Sequence, residues 1–161
     1  MFSSNEIFDL AVRIEKNGEA FFRNAMEKVK APSVRSLFEW LAEQEVKHRE
    51  WFVSKKATAE ITSESHDLDQ MGSDMLQDIL GDQSFSLQEV DLGQVKNVQD
   101  ILDLAIEFEK DTILFFEMIL SMSIDADTSA ELKTIIAEEE HHIELLQEKR
   151  KHGTAELEIL H

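Results

Sequence analysis

The chain of 161 residues contains no cysteine and no tyrosine, and it has only one proline and five glycines. Without cysteine it cannot form disulfide bonds, iron–sulfur clusters, zinc knuckles or a cysteine nucleophile, and we expect a reducing cytoplasm as its location. Without tyrosine it cannot carry a tyrosyl radical. Proline and glycine interrupt helices, so their scarcity favours a fold made of long helices.

Positive charge is also scarce. The 16 lysines and arginines face 34 aspartates and glutamates, and the formal net charge is −18. Nucleic acid and anionic membranes are therefore poor partners, whereas cations are good ones. The longest apolar run, around 113–124, is interrupted by Glu117, and residues 1–20 carry acidic side chains throughout. We therefore expect neither a membrane span nor a signal peptide.

The segment LAEQEVKHREWF places two ionisable side chains on an apolar helix face. Four residues at spacings of four, three and four share that face: Leu41, Glu45, His48 and Phe52. Side chains at these spacings project from one side of a helix. Burying a carboxylate and an imidazole there is costly unless each is paired, hydrogen-bonded or bound to a metal ion. The pattern therefore indicates a buried polar site.

The same pattern occurs again in the second half of the chain, as part of a weak internal repeat. The segment AVRIEKNGEAFF (11–22) is similar to AIEFEKDTILFF (105–116), at an offset of 94 residues. The same offset relates three residues of the first half to three of the second: Glu15, Glu45 and His48 to Glu109, Glu139 and His142. In each half the single glutamate precedes the Glu-x-x-His motif by 30 residues. That spacing fits two antiparallel helices joined by a short turn.

The second Glu-x-x-His motif is ambiguous, because the sequence EEEHH contains two overlapping pairs. Glu139 and His142 continue an apolar stripe, whereas Glu138 and His141 belong to a mostly polar one. Apolar stripes face the core of a helical bundle. We therefore predict that Glu139 and His142 point inward, and that His141 lies on the surface or has a role outside the ligand set.

Apolar periodicity predicts an all-α fold with four long helices, at about 3–30, 33–56, 97–123 and 128–152. Thr128 is the predicted cap of the fourth helix. The polar segment at about 57–97, with a short helix at about 69–80, fits a crossover that lets the second and third helices lie parallel. We therefore expect one four-helix bundle domain over 1–152, followed by a C-terminal tail over 153–161.

Gly18 and Glu19 lie about one helical turn after Glu15. Gly18 weakens an isolated helix by about 1 kcal/mol relative to alanine, so we expect that it provides space for packing or for a ligand. Glu19 lies one turn after Glu15, but its counterpart under the offset is Ile113. We therefore interpret Glu19 as a solvated residue and not as a seventh ligand.

Together, the four carboxylates and two imidazoles suffice for two metal ions, with one histidine for each ion and carboxylates shared between them. Four negative charges would balance two divalent cations, which a buried site requires. Without metal the carboxylates repel one another, and some take up protons. Oxygen-rich sites with one nitrogen per ion suit iron or manganese better than structural zinc. The alternative, a metal-free bundle with buried ion pairs, lacks buried cations, because Lys47 and Arg49 lie off the apolar stripe.

The paired Glu and Glu-x-x-His motifs resemble those of the ferritin-like di-iron carboxylate superfamily, and within it the rubrerythrins. The resemblance covers about residues 1–152 apart from the crossover. It implies a ferritin-like four-helix bundle in which six residues bind two iron ions, or manganese: Glu15, Glu45, His48, Glu109, Glu139 and His142. The four glutamates among them would be catalytic in their capacity as metal ligands.

The chain departs from the rubrerythrin pattern at two points. Rubrerythrins usually carry a rubredoxin domain with cysteine-bound iron, and this chain has no cysteine. Its electrons would therefore come from another protein. Rubrerythrins also carry a further glutamate three residues after the first glutamate of the third helix, which takes part in the iron movement linked to peroxide reduction. Here that position is Thr112.

The resemblance implies an oxidoreductase that reduces hydrogen peroxide or dioxygen, with an external electron-donor protein as partner and a homodimeric assembly. One alternative is a ferritin-like ferroxidase or iron-storage protein, and another is a metal-free helical interaction module. The polar crossover and the lack of a carboxylate cluster for iron uptake favour the oxidoreductase. Assembly separates the first two functions, because storage needs a hollow shell. Neither nucleic acid nor membrane is an expected partner.

Overall fold

The structure, a computed structural model, describes residues 4–56, 92–122 and 124–152. It contains four long helices: α1 (Ser4–Lys28), α2 (Pro32–Lys56), α3 (Val98–Ser121) and α4 (Ala126–His152). The predicted all-α fold is confirmed. The predicted short helix at about 69–80 and the tail at 153–161 lie outside the described residues, so the division into a bundle domain and a tail stays a prediction.

Local sequence explains where the helices of the second half begin. Asn97 caps α3, because its Oδ1 accepts a hydrogen bond from the backbone N–H of Asp100 at 2.8 Å. The predicted cap of α4 at Thr128 is wrong. Asp125 caps this helix by accepting the backbone N–H of Thr128 at 2.8 Å, and it also accepts the Thr128 hydroxyl at 2.9 Å. An aspartate satisfies the free N–H groups of the first turn, so the helix begins two residues earlier than predicted.

The four helices form a ring in which α1 packs against α2 and α3, and α4 packs against the same two helices. The N-terminal part of α1 meets the C-terminal part of α2, where the rings of Phe8 and Phe52 are 6.0 Å apart. The C-terminal part of α3 lies at the same end, since Phe52 and Phe116 are 4.9 Å apart. Helices α2 and α3 therefore run parallel, and the connection between them joins opposite ends of the bundle, as the sequence predicted.

Two apolar clusters fill the interior, one towards each end of the bundle. The first surrounds Phe52 and Phe116, and the second surrounds Phe22 and Phe38. Each buried phenylalanine contributes about 1.5–3 kcal/mol relative to an exposed one. Between the clusters lies a layer of buried ionisable side chains. Within the described ranges, the chain has no helix with the length and apolar character that crossing a membrane requires.

Candidate metal centre

The layer between the apolar clusters contains the six side chains that the sequence singled out. Their relative exposure is between 0% and 3%: Glu15, Glu45, His48, Glu109, Glu139 and His142. Helices α1 and α3 each supply one glutamate, and α2 and α4 each supply a Glu-x-x-His motif. His141 is exposed, so the choice between the two overlapping pairs was correct. The structure thus brings the six residues together, and their role as metal ligands is still a prediction.

The donor atoms of these side chains form two overlapping groups, and within each group all ligand atoms lie within 4.8 Å of one another. The first group is Glu15, Glu45, His48 and Glu139. The second group is Glu45, Glu109, Glu139 and His142. Glu45 and Glu139 belong to both groups. Each remaining residue belongs to one group only, and each group contains one histidine.

His48 uses both of its ring nitrogens. Nδ1 faces the layer, at 2.7 Å from Oε1 of Glu139 and 3.8 Å from Oε1 of Glu15. Nε2 points outward and lies 2.6 Å from Oε2 of Glu138. The sequence had assigned Glu138 to a polar face without a function, and the structure instead makes it the outer partner of His48.

Inside the layer, the contacts of His142 are similar to those of His48. Nδ1 of His142 lies 3.2 Å from Oε2 of Glu109 and 3.7 Å from Oε1 of Glu45. These two glutamates correspond to the inner partners of His48 under the offset of 94 residues, so the sequence repeat extends to the contacts of the two histidines inside the layer. The outer contacts differ: Nε2 makes no hydrogen bond with the described residues, and the indole of Trp40 packs edge-on against the ring at 5.4 Å.

Many buried polar atoms of the layer make no hydrogen bond within the described part of the chain. They are both carboxylate oxygens of Glu15 and of Glu45, Oε1 of Glu109, Oε2 of Glu139 and Nε2 of His142. Buried polar atoms are normally hydrogen-bonded, because leaving them without a partner is costly. Among the described residues no lysine or arginine is buried. Convergent carboxylate oxygens with one imidazole nitrogen for each position are a donor set that fits two iron or manganese ions.

Burial and crowding alter the acidity of the carboxyl groups. Burial raises the pKa of Glu15, Glu45 and Glu109, and the charge of a neighbouring glutamate raises each of them further. Glu139 behaves differently: burial opposes its ionisation, but the neighbouring carboxyl group of Glu109 and the two imidazoles favour its ionised form and lower its pKa. In the absence of a cation, protonation of the first three groups therefore reduces the negative charge of the layer.

The pKa values of both imidazoles are raised as well, although burial acts against this change. Burial alone would lower the pKa of His48, but the hydrogen bond to Glu139 outweighs it and raises this pKa to about 9. The same carboxylate, against the effect of burial, raises the pKa of His142. Both rings therefore tend to hold a proton that a metal ion would have to displace.

Gly18 provides space for Glu45. A Cβ atom at this position would lie 3.0 Å from Oε2 of Glu45 and 3.2 Å from its Cγ and Cδ. Distances of 3.0–3.4 Å are tighter than nine in ten real Cβ contacts, so the side chain of Glu45 would have to shift by a few tenths of an ångström. The glycine therefore provides space for a neighbouring side chain, that of Glu45.

We expect Gly18→Ala to weaken metal binding about tenfold, the lower end of the effect of disturbing the surroundings of a metal ligand. The new methyl group would displace the carboxylate that both groups share, although alanine favours the helix by about 1 kcal/mol. Calorimetric titration with Mn²⁺, together with the melting temperature of the metal-free protein, would measure both effects. Unchanged affinity would show that Glu45 moves aside at no cost to the site.

Two further residues that the sequence singled out, Glu19 and Thr112, have partners outside the two ligand groups. Glu19 is 20% exposed, pairs with Arg23 at 2.7 Å and also pairs with Arg49. These arginines lower the pKa of Glu19 although burial opposes the change. Glu19 is therefore ion-paired, whereas the sequence predicted a solvated residue, and its absence from the ligand set stays a prediction. Thr112 is buried, and its hydroxyl donates to the backbone oxygen of Phe108 at 2.9 Å.

A pocket of about 410 Å³ opens between α2 and α4 beside His48. Gln44, Thr134 and Glu138 are among the residues that line it. Under the offset of 94 residues, Thr134 corresponds to Trp40, whose indole packs on the other histidine. The small threonine leaves open the space that the indole fills in the other half. The sequence analysis missed this pocket, although the tryptophan–threonine difference within the repeat is a signal that could have revealed it.

The chain is similar to known proteins both in sequence and in fold. The family model described as rubrerythrin matches residues 6–149. A crystal structure from Thermotoga maritima, described as that of a putative ferritin-like diiron-carboxylate protein, aligns with 95% of this chain and 97% of its own, with a TM-score of 0.70 and 21% sequence identity. The predicted ferritin-like fold is thereby confirmed. No curated protein matches the sequence significantly. The chain belongs to the rubrerythrin family.

Proposed function

We propose that the protein is a di-iron oxidoreductase that reduces hydrogen peroxide or dioxygen with electrons from an external donor protein. The proposal rests on the buried layer, in which Glu45 and Glu139 belong to two ligand groups at once. Two divalent ions would balance its four carboxylates, which the low dielectric of the interior favours. Iron is the metal that we propose, with manganese as the other ion that this donor set accepts.

Bound iron would supply the electrons that cleave the O–O bond of the oxidant. The protein supports this chemistry with its own residues. Phe52 and Phe116 belong to an apolar cluster that borders the layer and excludes water from one end. The pocket beside His48 gives a small oxidant a route towards the layer, whereas Trp40 covers the ring of His142.

Iron oxidation for storage would use the same six residues, so the ligands do not separate the two functions. Within the described ranges, the two overlapping groups are the candidate metal-binding clusters, and no separate carboxylate cluster accompanies them. This arrangement favours an enzyme over a protein that collects iron. We also propose that the protein is a homodimer and acts in the cytoplasm.

Peroxide consumption tests the proposed activity. Protein loaded anaerobically with Fe²⁺ and supplied with an artificial electron donor should reduce each hydrogen peroxide to two water molecules, using two electrons and two protons. The same assay with dioxygen shows which oxidant is preferred. Glu45→Gln protein, treated identically, is the control for iron that is not bound at the centre. Oxidant consumption no faster than in this control, combined with uptake of many iron ions per chain, would favour storage instead.

A further inference from the structure

His48 is held from both sides. Its Nδ1 lies 2.7 Å from Glu139 inside the layer, and its Nε2 lies 2.6 Å from Oε2 of Glu138. The side chain of Glu138 is 47% exposed and belongs to neither of the two ligand groups. A carboxylate that accepts the hydrogen of Nε2 fixes the ring orientation and leaves the lone pair of Nδ1 directed at the metal position.

Among the described residues, His142 has no equivalent partner. Its Nε2 is buried and makes no hydrogen bond with the described residues. The offset of 94 residues, which relates all six candidate ligands, also relates Glu138 to Gln44. One half of the molecule therefore carries a carboxylate where the other half carries an amide. Gln44 makes no hydrogen bond to Nε2 of His142, so the outer carboxylate is present at one histidine and not at the other.

We propose that Glu138 is a positioning residue for His48, and that it makes the two metal positions unequal. The position built on His48 then binds its ion more tightly than the position built on His142. The inference rests on the proposed function, because it concerns how the chain would hold the two ions. Removal of the outer partner of a metal-binding histidine typically lowers metal affinity by about 10- to 100-fold.

Titration of the full chain with Co²⁺ alone tests the proposal, with calorimetry for the affinities and the absorption spectrum of Co²⁺ for the coordination. Two steps in the wild type are not decisive, since two neighbouring ions repel each other in any case. The affinities of the variants for Co²⁺ therefore test the proposal. Glu138→Ala should weaken the first step by about 10- to 100-fold, whereas Glu138→Gln should recover part of that loss, because its amide oxygen still accepts from Nε2.

Glu140→Ala is the matched control, because Glu140 is exposed on the same helix and the substitution removes the same charge. It should leave both steps close to those of the wild type. The proposal is overturned if Glu138→Ala behaves like Glu140→Ala, or if it weakens both steps equally. Melting temperatures of the metal-free variants confirm folding. Failure of the wild type to bind any Co²⁺ would instead contradict the proposed metal centre itself, so the two failures are distinguishable.

Discussion

Glu45→Gln should abolish the stabilisation that metal ions give the protein. Glu45 is shared by both ligand groups, and neither of its carboxylate oxygens has a hydrogen-bond partner in the described part of the chain. A glutamine of nearly the same shape cannot bridge two cations as a carboxylate does. At a free metal concentration a hundred times the Kd, binding adds about 2.7 kcal/mol to the stability of the wild type. For a chain of this size that is a shift of about 5–11 °C in Tm.

The metal-free Glu45→Gln protein should be at least as stable as the metal-free wild type. Burial raises the pKa of Glu45, which shows that its ionised form is costly to keep in the interior. Thermal melts with and without Mn²⁺ measure both effects. Glu43→Gln is the control, since Glu43 is exposed on the same helix, and it should keep the full metal-dependent shift. If the metal-free Glu45→Gln protein is strongly destabilised, the carboxylate has a structural role and the interpretation as a ligand loses its support.

The metal-free protein should lose stability as the pH rises. The pKa values of Glu15 and Glu109 are raised, chiefly by burial, so the folded state holds protons that the unfolded chain releases above about pH 4.3. Their contribution is complete below that pH and declines as the pH rises through the folded-state values. The contribution of His48 is complete below about pH 6.5 and is lost as the pH rises through about 9. Glu139, whose pKa is lowered, loses its contribution only at acidic pH.

Bound metal should reverse this trend. The ions require ionised carboxylates and an unprotonated Nδ1, so binding releases protons and strengthens as the pH rises. Thermal melts between about pH 5.5 and about pH 8.5 should show a falling Tm without metal and a growing difference once Mn²⁺ is added. Equal pH profiles with and without Mn²⁺ would show that the ions do not displace protons from this layer. A metal-free Tm that rises across the range would contradict the protonation of the buried carboxyl groups.

The sequence predicted the layer because helical periodicity determines which side chains share a face. Glu139 and His142 follow apolar neighbours, whereas Glu138 and His141 do not, and the repeat confirmed the choice. The start of α4 was less predictable. Asp125 and Thr128 are both good capping residues, and only the backbone geometry shows which one accepts the first free N–H.

The outer partner of His48 could not be read from one helix. The contact between His48 and Glu138 depends on how closely α2 approaches α4 and on their relative rotation, which the periodicity of a single segment does not encode. The covering of His142 by Trp40 depends on the same packing. The difference between the two halves therefore emerged from tertiary structure, although the residues that cause it occupy equivalent positions of the repeat.

The most direct test of the metal centre is the amount of iron that each chain retains after aerobic loading with Fe²⁺ and desalting. Two overlapping ligand groups predict two iron ions per chain. Glu45→Gln, loaded in parallel, should retain almost none. No retained iron in the wild type, under conditions that load a known di-iron protein, would contradict the iron centre. Many iron ions per chain would instead identify a storage protein.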